Sequence, residues 1–175
     1  MSFKLTIKKI KKLPGVKKIN YSSFTDNRGY IFSTIDKKLI KKVLPKKMFF
    51  NQTKISFRKK NVLVGFHYDD KTWKLLTCIK GKIFHTVVKI NSLKQKNNFT
   101  HQSFILNNKK KESILIPPGY GNGFYCYEDS IISYSLAFKG EYIDAKNQKT
   151  LPWNDNRIKV RWPKKKPILS SRDKF

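Results

Sequence analysis

Short runs in which apolar and polar residues alternate recur along almost the whole chain: FKLTIKKI, GYIFSTI, KMFFNQTKISF, NVLVGFHY, WKLLTCI, KIFHTVVKI, HQSFIL, SILIPP, GFYCYE and IISYSLAF. Several have the period of two that places successive side chains on opposite faces of a strand, and KIFHTVVKI is rich in β-branched residues. Between these runs stand DNRG, KG, NSLKQKNN, NNKKKE, PPGYGNG and WNDN, whose Gly, Pro, Asn and Asp suit turns. Turns recurring every 8–12 residues or so predict an all-β sandwich or barrel formed by a single domain, residues 1–175. One stretch breaks the pattern. In TIDKKLIKKVLP, Ile35, Leu39, Ile40 and Leu44 fall at helical spacing and Pro45 ends the run, which predicts a short amphipathic helix. LPWNDNRIKVRWP carries two tryptophans and two prolines in an extended pattern, and the segment from there onward is expected to pack on the barrel as a strand or ordered arm.

Composition narrows the class. A chain of 175 residues with 39% hydrophobic and 14% aromatic side chains carries enough apolar surface for a core and is not a disordered composition. No run of about 18 apolar residues is present, and the opening MSFKLTIKKIKK lacks an apolar signal core, so a cytoplasmic protein without a membrane partner is expected. Cys78 and Cys126 are far apart in sequence and lack a CxxC spacing, which predicts reduced strand residues. The net charge of +28 could attract nucleic acid, but only five of the 39 basic residues are arginine. The lysines are scattered through KKIKKLPGVKK, DKKLIKK, LKQKNN and NNKKKES with no recognition motif, so they read as solvated turns and strand edges and no nucleic-acid partner is expected.

Candidate chemistry is reached by elimination. His67, His85 and His101 are isolated, with no HxH pair followed by an acid, so no metal site is expected. There is no GxSxG elbow, and neither cysteine has a neighbour that would activate it. Acid–base chemistry is left, with His67, Lys74, Tyr134 and Asp173 as its candidates. Each of these is more commonly a packed, hydrogen-bonded side chain than a catalytic group.

Ordered blocks over most of the chain add a second line of argument. FTDNRGYIF, QTKISFRKKNVLVGFHY, KLLTCIKGKIFHTVVKI, ILIPPGYGNGF, LPWNDNRIKVRWP and PILSSRD resemble, in this order, the motifs of the dTDP-4-dehydrorhamnose 3,5-epimerase family. The resemblance implies a cupin-like jelly-roll barrel with one or two short helices, a homodimer, a nucleotide-sugar substrate and no cofactor. It puts His67 on the family's catalytic base, Asp173 on the carboxylate paired with it, Lys74 beside the sugar's keto oxygen and Tyr134 on the general acid of the opposite face. Arg28 resembles an arginine that reaches the nucleotide phosphates, sometimes across the dimer, and Gln52 and Lys54 fall where the family contacts the nucleotide. Three positions depart from the motifs: Val64 replaces an arginine, His85 an aspartate and Asn122 a histidine. His85 and Asn122 are therefore expected among the substrate-binding positions, with Lys54 or Arg58 replacing the lost guanidinium. HYDDKTWKLLTC, GYGNGF and FKGEYIDAKNQKTLPWND are more similar to a subgroup acting on GDP-linked 4-keto-heptoses in capsule assembly. The rival readings are a nucleotide-sugar 3,4-ketoisomerase and a basic binding protein on the same fold.

Overall fold

The structure, a computed structural model, describes residues 3–90, 99–144 and 147–175. NSLKQKNN, expected as a turn, occupies residues 91–98 and lies outside the described residues.

The described chain forms β1 (Leu5–Lys9), β2 (Lys17–Tyr21), β3 (Phe24–Asp26), β4 (Gly29–Ile31), α1 (Lys37–Val43) and β5 (Gln52–Arg58). It continues through β6 (Leu63–Tyr68), β7 (Trp73–Lys80), β8 (Lys82–Lys89), β9 (His101–Asn107) and β10 (Glu112–Ile116). It closes with β11 (Tyr120–Cys126), β12 (Ser130–Ala137), β13 (Lys149–Leu151) and a 3₁₀ turn at Ser171–Asp173. Two antiparallel sheets face each other, one in the order β1-β2-β10-β7-β12-β5 and the other in the order β13-β6-β11-β8-β9, while β3 and β4 make a separate hairpin. This is the expected all-β jelly-roll barrel. Among the described residues no helix is long and apolar enough to cross a membrane.

Period two decides which side chains enter the barrel. Leu76 and Cys78 of β7, Ile83 and Val87 of β8, Phe124 of β11 and Ile132 of β12 meet in one buried cluster between the sheets. The outer face of the larger sheet is covered by α1, whose Leu39 and Val43 pack over Ile19, Leu75 and Leu115. Each such aliphatic side chain contributes roughly 1.5–3 kcal/mol on burial. Asp36 caps α1 by accepting the Leu39 N–H at 2.7 Å, and the helix stops at Leu44, next to Pro45, as its sequence predicts. The outer face of the smaller sheet is covered by the C-terminal arm, where Trp162 packs on Phe66 and Phe84 and its indole N–H donates to the Trp153 carbonyl at 2.8 Å.

Two expectations need correction. KKIKKLPGVKK is not wholly solvated: Lys17–Tyr21 is an interior strand between β1 and β10, and Lys17 Nζ donates to the Val43 carbonyl at 3.1 Å, closing the end of α1. Lysine-rich alternation conceals a strand because its long apolar stems cover neighbouring surface while the ammonium groups stay outside. PPGYGNG is likewise a turn only at its start, since Tyr120–Gly123 are buried residues of β11. Cys78 and Cys126 are free, buried strand residues, and burial raises the Cys126 thiol to about 11.

Candidate active site

An open cavity of about 510 Å³ lies at one end of the barrel, with Lys54, Arg58, Val64, His67, Lys74, Asn122, Tyr134, Tyr142, Gln148 and Arg172 in its wall. Alternation explains most of this wall. Lys74 shares the inward face of β7 with Leu76, Tyr134 shares that of β12 with Ile132, and Lys54 pairs with Tyr134 across the sheet.

Alternation alone would put Val64 and His67 on opposite faces of β6, yet both line the cavity. A bulge resolves the conflict: Asn122 pairs with His67 and Phe124 with Val64, so two steps along β11 are matched by three along β6. At the bulge the strands touch closely, and a Cβ on Gly123 would come within 2.8 Å of the Val64 carbonyl oxygen.

His67 Nε2 lies 2.8 Å from Asp173 Oδ1, and Asp173 Oδ2 accepts from Ser170 Oγ at 2.7 Å. The tail reaches this position because Ile168 bridges to Val62 at the start of β6, with the Leu63 N–H donating to the Ile168 carbonyl at 2.9 Å. Asp173 is only 1% exposed. Burial by itself would raise its pKa, but the hydrogen bonds from His67, Ser170 and the Gly65 N–H outweigh it and hold the carboxyl below its ordinary value. The ionised carboxylate thus fixes the orientation of the His67 ring.

Gly65 makes room for that carboxylate, since a Cβ there would stand 2.7 Å from Asp173 Oδ1. Gly65→Ala is expected to displace Asp173 and cut any reaction that uses the His67–Asp173 pair by on the order of 100-fold, the scale of an approximately 1 Å misplacement. Rates measured beside a melting curve test this, and an unchanged rate in the folded variant would refute the coupling.

Lys74 is 5% exposed and its Nζ lies 3.2 Å from Asp69 Oδ2. Burial lowers its pKa, Asp69 opposes that effect, and Arg172 adds to the lowering. The Tyr134 hydroxyl is pushed up, chiefly by burial with a smaller opposing effect of Arg58, so it stays protonated and able to donate. Its ring packs on Phe124 with centroids 6.4 Å apart. Lys54, Arg58, Lys74 and Arg172 line the cavity together, and among the described residues no carboxylate does, an arrangement that attracts an anion.

Residues 10–175 match the sequence pattern of the dTDP-4-dehydrorhamnose 3,5-epimerases. The chain belongs to the dTDP-4-dehydrorhamnose 3,5-epimerase family. It is accordingly an enzyme of the epimerase class, and the similarity extends to individual relatives. It is 28% identical over 157 residues to the dTDP-4-dehydrorhamnose 3,5-epimerase of Shigella flexneri, covering 86% of this chain and 83% of that one. With the same enzyme of Salmonella typhimurium it shares 28% identity over 168 residues, 92% of this chain and 88% of the other. In fold it resembles the dTDP-6-deoxy-D-glucose-3,5-epimerase of Legionella pneumophila, solved in complex with dTDP-4-keto-L-rhamnose. That match has a TM-score of 0.83 at 23% identity and covers 97% of this chain and 90% of that one.

Within this epimerase-family site, the residues expected from sequence divide into two groups. His67, Lys74, Tyr134, Asp173, Lys54 and Asn122 converge on the cavity, Asp173 from behind His67. Arg28 does not: it sits at the tip of the β3–β4 hairpin in an exposed ion pair with Asp26 at 2.6 Å. Gln52 is an exposed residue of the edge strand β5 and does not line the cavity. His85 lies fully buried in the barrel; among the described residues neither ring nitrogen makes a hydrogen bond of good geometry, and burial lowers its pKa to about 3 against a smaller opposing effect of the neighbouring Asn122 side chain. It is a neutral ring tilted against Phe104 with centroids 6.3 Å apart and does not itself line the cavity, while Asn122 donates to the His67 carbonyl at 3.2 Å.

Sequence reasoning missed Asp69, Tyr142, Gln148 and Arg172 as site residues. Arg172 Nε donates to Thr150 Oγ1 at 3.0 Å and its Nη2 to the Gln148 carbonyl at 2.9 Å, which holds the guanidinium in the wall. Its neighbour Asp173 is the one signal that could have drawn attention to it. Lys54 Nζ lies 4.1 Å from the centroid of the Tyr142 ring, and Tyr142 accepts from Gln148 Nε2 at 3.2 Å.

Proposed function

We propose that this cavity inverts C3, with C5 as a second centre, of a nucleotide-linked 4-keto sugar by proton transfer through an enolate. His67 takes the proton next to the ketone while the C–H electron pair forms the carbon–carbon double bond of the enolate and the carbonyl π pair moves onto the oxygen. The Lys74 ammonium stabilises that oxygen, and the Tyr134 hydroxyl returns a proton to the carbon from the opposite face. Solvent then removes the proton from His67 and restores that of Tyr134, so atoms and charge balance without a cofactor. The observation that carries this reading is the His67–Asp173 pair at 2.8 Å in one cavity wall with Lys74 and Tyr134.

Lys54, Arg58 and Arg172 are the cations we assign to the substrate's diphosphate. Val64 leaves the wall without a guanidinium at its own position, and Arg172 and Arg58 are fixed nearby by hydrogen bonds. At the finer level we read the substrate as a GDP-linked 4-keto-heptose for surface polysaccharide synthesis, on the resemblance of HYDDKTWKLLTC and FKGEYIDAKNQKTLPWND. We take the working form to be a homodimer. Ile55 and Phe57, 64% and 55% exposed on the edge strand β5, leave apolar surface for a second copy, and Arg28 on its exposed hairpin is available to a neighbour's cavity.

The test is incubation with GDP-linked 4-keto-heptose and dTDP-linked 4-keto-6-deoxyhexose in deuterated water. Deuterium entering at C3 or C5 with inversion is the expected result, faster with the GDP sugar. Migration of the carbonyl would favour the ketoisomerase, and no exchange with either sugar would overturn the epimerase reading.

A further inference from the structure

His67 and Lys74 belong to different sheets, and the chain crosses between the sheets in the loop 69–72. Asp69 opens this loop and is 4% exposed. Its Oδ1 accepts the N–H groups of Lys71 at 3.0 Å and Thr72 at 2.6 Å, which makes the turn, and its carbonyl accepts the Gly119 N–H at 2.9 Å. An asparagine would make the same turn with the same oxygen. The second carboxylate oxygen is therefore not needed for the loop: Oδ2 is buried, among the described residues takes no hydrogen bond of good geometry, and faces Lys74 Nζ at 3.2 Å.

From this division of labour we propose that Asp69 is a positioning residue of the epimerase site, its Oδ2 holding Lys74 as an ammonium aimed into the cavity. The proposal rests on the reading that Lys74 faces the substrate's keto oxygen. A lysine this deeply buried tends to lose its proton, and a neutral amine would stabilise an enolate far less than an ammonium. The groups around Lys74 come from several elements: Asp69 from the loop, Arg172 from the 3₁₀ turn, Tyr134 from β12, His67 from β6 and Tyr142 from the segment after β12. Asp69 is the carboxylate in direct contact, and it opposes both the burial and the repulsion from Arg172. Asp69 itself is held ionised, because Lys74, Thr72 and Lys71 together outweigh its own burial. The sign follows. Removing the carboxylate charge makes Lys74 lose its proton at lower pH, so activity that needs the ammonium falls off earlier as pH rises.

Asp69→Asn keeps the turn and removes the charge. In solvent-deuterium exchange on the nucleotide sugar, the variant is expected to keep its KM and lose kcat, with the alkaline limb of kcat moved to lower pH. As pH rises through that limb its rate relative to wild type should fall further, by on the order of tenfold for each unit by which the limb is displaced. An unmoved alkaline limb in the active variant overturns the proposal, because a merely structural role would not shift it. Wild-type protein labelled with ¹⁵N-lysine covers the case in which the variant does not fold. Lys74 should be seen as an ammonium at the pH of full wild-type activity, and a neutral amine there overturns the proposal. If wild type exchanges no deuterium with any nucleotide 4-keto sugar, the epimerase reading fails first, which is distinguishable from an active enzyme with an unmoved limb.

Discussion

His67→Ala is expected to reduce deuterium exchange at the carbon next to the ketone by on the order of 10²–10⁴-fold, the usual contribution of a positioned general base. The side chain is 18% exposed in the cavity wall, so its removal creates little new void, and Asp173 retains Ser170 as a hydrogen-bond partner. The melting temperature should therefore change little while the exchange rate collapses. Mass spectrometry of the sugar after incubation in deuterated water reads the loss directly. Full exchange by the variant would overturn the assignment of the base. His67→Asn should behave in the same way, since an amide can bond to Asp173 but cannot take a proton at neutral pH.

Tyr134→Phe separates the two halves of the reaction. The hydroxyl is the only group removed, the ring keeps its packing on Phe124, and no buried partner is orphaned among the described residues, so the fold should be retained. Proton removal at the His67 face should continue, and deuterium should enter with retention of configuration. Inverted product should form on the order of 10²–10⁴-fold more slowly, because the opposite face has lost its acid. Chiral analysis of the sugar beside its isotope content distinguishes the two, and undiminished inversion would refute the acid role of Tyr134. Burial raises the pKa of the hydroxyl, so it arrives protonated but as a weaker proton donor than a solvated tyrosine.

The legibility of the site varied by residue for physical reasons. Lys74 and Tyr134 were legible as residues of apolar strands and drew their roles from the resemblance, and the folded chain puts both on inward faces. The helix at Lys37–Val43 was legible from its spacing and Pro45, while Asp36 is identified as its cap by the folded chain. Asp69 was opaque, because a short acidic pair in HYDDKTW reads as turn chemistry and its second oxygen has meaning only once Lys74 folds against it. His85 misled in the opposite direction. A histidine in a motif position suggested contact with substrate, but on β8 it takes the inward face shared by Ile83 and Val87 and is sealed in the core. Arg28 and Gln52 were assigned by resemblance, and within one chain neither reaches the cavity.

Local pattern was enough for the all-β class, most strand positions and the short helix, since each depends on residues within a few positions of one another, while the titratable candidates stood out only through the resemblance. Three things depended on the folded chain. The bulge that turns Val64 and His67 to the same side exists only where β6 pairs with β11. The contact between His67 and Asp173 joins residues 106 positions apart, brought together when the tail bridges to the start of β6 and fits under Gly65. The ion pair of Lys74 with Asp69 forms where the chain passes from one sheet to the other, and burial turns an ordinary turn residue into the counter-charge of the cavity's lysine. Alternation sets the face of a side chain, but only the pairing of distant strands sets its neighbours, and the proposed chemistry of this site depends on those neighbours.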